Sequence, residues 1–250
     1  MSLRGMRETV GALVLAAAVL FAAGQAMAAS TSPSPLIGIS IESVGPYDNY
    51  TTAGEGVDNG DGTYTLAGVG YGTNFNCDWS ITVNPDPFVT GNFTLTNLST
   101  FTQTFVLTVS LPVTPALPGP NVMGGYFGDL TYTDFNNSGA VTVSTIGLNP
   151  FYSARIDGSE VVPLGSFTAT ASGGPGVVGT VSQHNFGTPI PSDPAPAVNS
   201  SIAFQIRFSL TGQDRVQFPA YFEVRPVPEP SSALLIGLGL LGFVAARKRS

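Results

Sequence analysis

Hydrophobic and polar residues alternate with period two along most of the chain between its two ends. In Ser201–Leu210, Ile202, Phe204, Ile206, Phe208 and Leu210 share one face while Ala203, Gln205, Arg207 and Ser209 take the other. That is the pattern of a strand with one face buried. Val216, Phe218, Ala220, Phe222 and Val224 repeat it, opposed by Gln217, Pro219, Tyr221 and Glu223. Thr211-Gly212-Gln213-Asp214 reads as a turn between the two, which therefore either form a hairpin or pass from one sheet to another. Phe105, Leu107, Val109 and Leu111 alternate with Thr104, Val106, Thr108 and Ser110, and Phe93 and Leu95 open the strand before, ended by residues 97–100. Further strands are predicted at 36–42, 63–69, 77–83, 130–135, 140–146, 151–156, 165–171 and 177–184.

No segment between residues 29 and 226 carries a 3.6-residue period. Many short strands with turn signals every 8–12 residues or so predict an all-β fold, an antiparallel β-sandwich of immunoglobulin-like or jelly-roll-like form. No tandem repeat divides the region, which favours one enlarged sandwich over two small domains. The stretch 93–113 (FTLTNLSTFTQTFVLTVSLPV), with the closing 201–224, is similar to immunoglobulin-like domains of bacterial surface proteins. That likeness concerns fold alone. Residues 112–120 and 189–196 are too proline-dense for central strands and are predicted to be loops or sheet crossings.

The two ends read differently. Arg4 and Arg7 precede an apolar run at 11–23, followed by the small-residue pattern Ala26-Met27-Ala28, so residues 1–28 have the three regions of a signal peptide, cleaved after Ala28. The apolar run would reach only about 20 Å as a helix, short of a hydrocarbon core about 30 Å thick. At the other end, 227–250 reads VPEPSSALLIGLGLLGFVAARKRS. The span 231–246 is a short hydrophobic helix interrupted by Gly237, Gly239 and Gly242, and Arg247-Lys248-Arg249 would hold its end in the cytoplasm.

Val227-Pro228-Glu229-Pro230, the Leu/Gly-rich span and the basic cluster Arg247-Lys248-Arg249 together resemble the PEP-CTERM sorting signal of Gram-negative bacteria. The resemblance implies recognition of Pro228-Glu229-Pro230 by a membrane-embedded exosortase, removal of the tail, and delivery to the cell surface or exopolysaccharide matrix. The Sec translocon and signal peptidase would act first, with the C-terminal helix a transient membrane anchor. Two prolines favour an extended backbone, and Glu229 supplies one charge that a protease could read at the membrane edge.

Composition sharpens this picture. Only 10% of the 250 residues are charged, against about 25% in an average soluble domain. The exported body, 29–226, holds 4 Arg and no Lys against 14 Asp and Glu, a net charge of −10. Nucleic-acid binding is excluded by that charge, and lysine-dependent chemistry by the absence of lysine.

Candidate chemistry is sparse. His184 is the sole histidine and no GxSxG-type elbow surrounds any serine, so no catalytic residue is assigned and no enzyme is expected. Cys77, the sole cysteine, reads as a small buried hydrophobe beside Trp79; one Cys and one His cannot build a structural zinc site. Asp58, Asn59 and Asp61, with Gly60 and Gly62, suit a tight turn, and calcium is the alternative reading of their oxygens. The EF-hand pattern fails, because Val69 stands where its terminal Glu belongs. No cofactor is otherwise expected. Tyr47, Tyr50, Tyr71, Trp79, Tyr126, Tyr132 and Tyr152 could stack on sugars, with Tyr47 and Tyr50 assigned to a glycan-contacting loop beside Asp48 and Asn49. The expected role is structural and adhesive, in exopolysaccharide or biofilm. A carbohydrate-binding module is the alternative, and a secreted hydrolase ranks last.

Overall fold

The computed structural model describes residues 36–43 and 48–227, and every regular element among them is a β-strand. In chain order these are β1 (Leu36–Ser43), β2 (Asp48–Glu55), β3 (Val57–Asp58), β4 (Tyr64–Tyr71), β5 (Phe75–Asn84) and β6 (Phe88–Asn97). There follow β7 (Gln103–Pro112), β8 (Asn121–Phe127), β9 (Leu130–Thr133), β10 (Ala140–Ser144), β11 (Tyr152–Ile156) and β12 (Ser159–Leu164). The last six are β13 (Thr168–Ser172), β14 (Val178–Val181), β15 (His184–Phe186), β16 (Asp193–Ala195), β17 (Ser201–Leu210) and β18 (Arg215–Pro226).

All pairings between these strands are antiparallel. One sheet runs β12-β11-β17-β7-β1-β2, with β10 also on β17 and β13 on β10. The other runs β14-β9-β18-β6-β5-β4-β3, with β8 also on β18, and β15 and β16 on β8. The fold is an all-β sandwich. The 211–214 turn carries the chain from β17 in one sheet to β18 in the other, so these strands do not form a hairpin. Their apolar faces meet instead: Phe208 and Phe218 pack edge to face with ring centroids 6.0 Å apart, as do Phe93 and Phe204. Buried Asn97 clamps this crossing by donating from Nδ2 to the carbonyls of Leu210 (3.0 Å), Thr211 (3.1 Å) and Phe101 (2.9 Å).

Several expectations are corrected. β2, β3, β8 and β12 lie where no strand is predicted, and the segment 177–184 divides into β14 and the start of β15. Within the proline-dense 189–196, Asp193–Ala195 forms the short strand β16 against β8. Pro194 is tolerated because β16 is an edge strand with no partner beyond it in the sheet order.

The strand directions define two ends of the sandwich. At one, Pro226 closes β18 opposite Asn121, and the Val227 N–H donates to the Pro120 carbonyl (3.0 Å). Loops 113–120 and 196–200 are pinned there: Leu117 and Val198 exchange backbone hydrogen bonds, and Val113 donates to Ser200 (2.8 Å). Register places the start of β1 and the β3–β4 and β11–β12 turns at this end too. At the opposite end lie the 211–214 turn and the loops at 98–102 and 134–139.

Candidate functional site

β18 is a long strand, paired with β6 on one flank and with β9 and then β8 on the other. Its alternation sends Val216, Phe218, Ala220, Phe222 and Val224 into the core, which leaves Tyr221, Glu223 and Arg225 to the outer face. On that face Tyr221 stacks on Tyr126 of β8, its direct cross-strand partner, with centroids 5.4 Å apart and planes at 11°. Phe88 of β6 continues the stack on the other side at 5.9 Å and 26°. Three half-buried rings thus form a ladder across three adjacent strands.

Beside the ladder, Glu223 is only 2% exposed although it belongs to the outer face. Opposite it in register is Gly124, over which the 187–192 loop closes: a Cβ there would lie 2.8 Å from Ile190 Cγ2 and 3.0 Å from Pro191 Cα. The Glu223 carboxylate is satisfied by the Tyr221 hydroxyl, which donates to Oε2 at 2.5 Å, and by Arg225 Nε, which donates to Oε1. Burial, reinforced by the bond to Glu223, raises the Tyr221 hydroxyl above its ordinary range. With both oxygens engaged, Glu223 serves as an anchor for Tyr221 and Arg225 rather than as a free base. The Arg225 side chain remains 60% exposed and sets a cation beside the ladder.

The remaining sequence-derived residues divide clearly. Asp58, Asn59 and Asp61 form the turn between β3 and β4. The Gly60 N–H donates to Asp58 Oδ1 (2.8 Å), the Thr63 N–H and hydroxyl donate to Asp61 Oδ1, and Asn59 Nδ2 donates to the Thr63 and Thr65 hydroxyls. The Thr63 hydroxyl, then its amide, lowers the Asp61 carboxyl. Gly60 and Gly62 take φ of 80° and 85°, which the turn requires. Among the described residues no group of three or more His, Cys, Asp or Glu could hold a metal ion.

Tyr47 lies outside the described residues. The loop assigned to Tyr50 is instead strand β2, opened by buried Asp48, whose carboxylate accepts the amides of Thr73 and Asn74 at 2.5 and 2.6 Å. The Tyr50 ring turns toward the core, close enough that a Cβ on Gly70 would meet it at 2.8 Å. Trp79, Tyr132 and Tyr152 are buried, and the Tyr152 hydroxyl crosses the core to donate to the Tyr221 carbonyl (2.8 Å). Tyr71 is 69% exposed and Tyr126 belongs to the ladder. His184 is exposed and stacks on Phe127 (5.0 Å). Cys77 is buried in β5. Sequence pattern alone does not single out Phe88, Tyr221, Glu223 and Arg225. The outward alternation of Tyr221 and Glu223 is their signal, but it does not reveal which strands flank β18.

A recess of about 410 Å³ opens at the end farther from Pro226, lined by Thr96, Asn97, Leu98, Phe135, Asn136 and Gln213. Arg215 sits over the Phe135 ring at 4.0 Å from its centroid.

Ala26, Ala28, Pro228, Glu229, Pro230, Arg247, Lys248 and Arg249 lie outside the described residues; of Val227-Pro228-Glu229-Pro230 only Val227 lies within them. Residues 226–249 match the PEP-CTERM protein-sorting motif, beginning on the last residue of β18. No curated protein matches the chain. The motif marks an exported protein addressed to an exosortase and anchored transiently in the membrane.

Proposed function

We propose that the chain is an exosortase-processed protein of the cell surface or extracellular matrix, whose sandwich has a non-catalytic, structural and adhesive role in exopolysaccharide or biofilm. The observation that carries this reading is the sorting motif at 226–249, set directly on the end of a folded β-sandwich. Export through the Sec translocon, with signal peptidase acting at Ala28, precedes exosortase in this scheme. Intact mass spectrometry of protein from the extracellular fraction tests it. The expected chain ends near Pro230; recovery of chains still carrying 247–250 overturns the processing.

The Phe88–Tyr221–Tyr126 ladder favours a second reading, in which the outer face of the β18 sheet retains exopolysaccharide directly. Aromatic rings offer apolar area to the C–H faces of sugars, and exposed Arg225 offers donors to hydroxyls or acidic groups. On a glycan array, loss of retention by about tenfold on Tyr126→Ala, equal to about 1.4 kcal/mol, supports this reading. Unchanged retention leaves adhesion to the acidic surface.

A further inference from the structure

The sorting motif leaves almost no linker between the sandwich and the membrane. Val227 is still hydrogen-bonded to the Pro120 carbonyl, and the apolar span begins at Ser231. Four residue steps span at most about 14 Å even fully extended. The headgroup region alone takes up roughly 5–8 Å of that on one side of a bilayer. Sandwich length is much greater: the ten residues of β7 extend about 33 Å.

We infer that, in the anchored precursor, the sandwich stands end-on upon the phospholipid surface, with the end that carries Pro226 facing the lipid. This rests on the membrane anchoring that the sorting motif marks. The face so presented is built from the pinned loops 113–120 and 196–200, where Pro115, Ala116, Pro118 and Pro120 are exposed. Asn121 stiffens it, buried and donating from Nδ2 to the carbonyls of Leu117 (3.4 Å) and Pro196 (3.0 Å). Leu36, where β1 starts, lies at the same end, so the chain enters the sandwich from the side on which it leaves.

Charge decides how the face is held. Glu55, Asp58, Asp61, Asp86 and Glu160 are exposed at this end and Asp157 is half-buried there, against Arg225 and Arg155, whose guanidinium donates to the Gly158 carbonyl. Such a face is repelled by anionic lipid, so the tether rather than attraction keeps it in place. Cutting the tether therefore releases the protein without any further step.

Site-specific labelling tests the inference on the full-length precursor in vesicles of phosphatidylethanolamine and phosphatidylglycerol. Cys77 is buried, and burial pushes its thiol up to about 12, so it stays unlabelled. A fluorophore is placed on Ala116→Cys, or on Thr102→Cys at the opposite end, and quenched by a headgroup nitroxide lipid. Quenching several-fold stronger at residue 116 than at 102 is expected. Insertion of about 20 Gly/Ser residues between Pro226 and Val227 should bring the two to the same level. Equal quenching without the insertion overturns the end-on seating. Flotation of the vesicles reads anchoring separately: a precursor that floats but quenches equally defeats the seating alone, whereas one that does not float defeats the anchoring and the inference with it. Protein ending near Pro230 should not float, and its retention on the vesicles would contradict release by tether cleavage.

Discussion

At the scale of single residues, two side chains owe their behaviour to opposite environments. Cys77 is fully buried, and loss of solvation pushes its thiol up to about 12. It acts as a small hydrophobe. Cys77→Ser puts a hydroxyl in the same space, with an expected cost of about 1–3 kcal/mol in urea unfolding and no change in oligomeric state by light scattering. Loss of a dimer without loss of monomer stability would instead identify an intermolecular disulfide. Asp157 occupies the two-residue turn before β12 with φ of 51°, a conformation that Asp and Asn both tolerate. Desolvation works against its charge, but the amides of Asn199, Ser201 and Ser200 and the Ser200 hydroxyl outweigh it and hold the carboxyl well below its ordinary range. A depressed folded value gives stability that is complete above the unfolded value of about 3.9 and is lost as pH falls through the folded one. Asp157→Asn is therefore expected to cost about 1–2 kcal/mol at neutral pH, allowing for solvent screening. The gap from wild type should narrow as the pH drops below about 4. A gap independent of pH in urea titrations would show that the charge plays no part.

At the scale of elements, β4 shows how small residues decide packing. A Cβ on Gly68 would lie 2.7 Å from Cζ2 of Trp79, its cross-strand partner on β5. Gly68→Ala is expected to displace the ring and cost about 1–3 kcal/mol. Because Trp79 is the only tryptophan, its fluorescence reports the shift directly, and an unchanged spectrum with unchanged stability would refute the contact. The same logic explains what was legible in the sequence. β17 and β18 alternate large apolar residues against polar ones over ten and twelve residues, so their strand character and buried faces are plain. β8 is hidden because Gly124 and Gly125 imitate a turn. A Cβ on Gly125 would meet the Tyr221 carbonyl at 2.6 Å and the Phe186 ring at 2.8 Å, so the glycines admit neighbours instead. β2 is an edge strand whose side chains alternate between exposed and half-buried after Asp48, and such a strand carries little hydrophobic signal. The aromatic ladder needs strand order as well as pattern, since Phe88, Tyr126 and Tyr221 come from widely separated segments that only the sheet brings together.

For the whole molecule, charge sets the terms on which the proposed adhesion would work. The body from 29 to 226 has a net charge of −10 and no lysine. An anionic polysaccharide is repelled by such a surface, and salt screens the repulsion beyond a distance of about 8 Å at physiological ionic strength. Under the proposed matrix role, divalent cations bridging carboxylates on both partners would supply the attraction. Retention on purified anionic exopolysaccharide should then rise in millimolar calcium and fall in chelator. The Asp58 and Asp61 carboxylates accept hydrogen bonds within their own turn, so they should contribute no more than other surface acids. Asp58→Asn with Asp61→Asn is accordingly expected to leave cation-dependent retention nearly unchanged, with bridging spread over the solvent-facing carboxylates of the body, from which the buried Asp48, Asp134, Asp214 and Glu223 are withdrawn. Abolition of a saturable calcium isotherm by that double variant, measured by calorimetry, would place a specific site in the turn. Equal retention of the wild type in calcium and in chelator would defeat both forms of cation bridging and leave uncharged stacking on the Phe88–Tyr221–Tyr126 ladder as the route to the matrix.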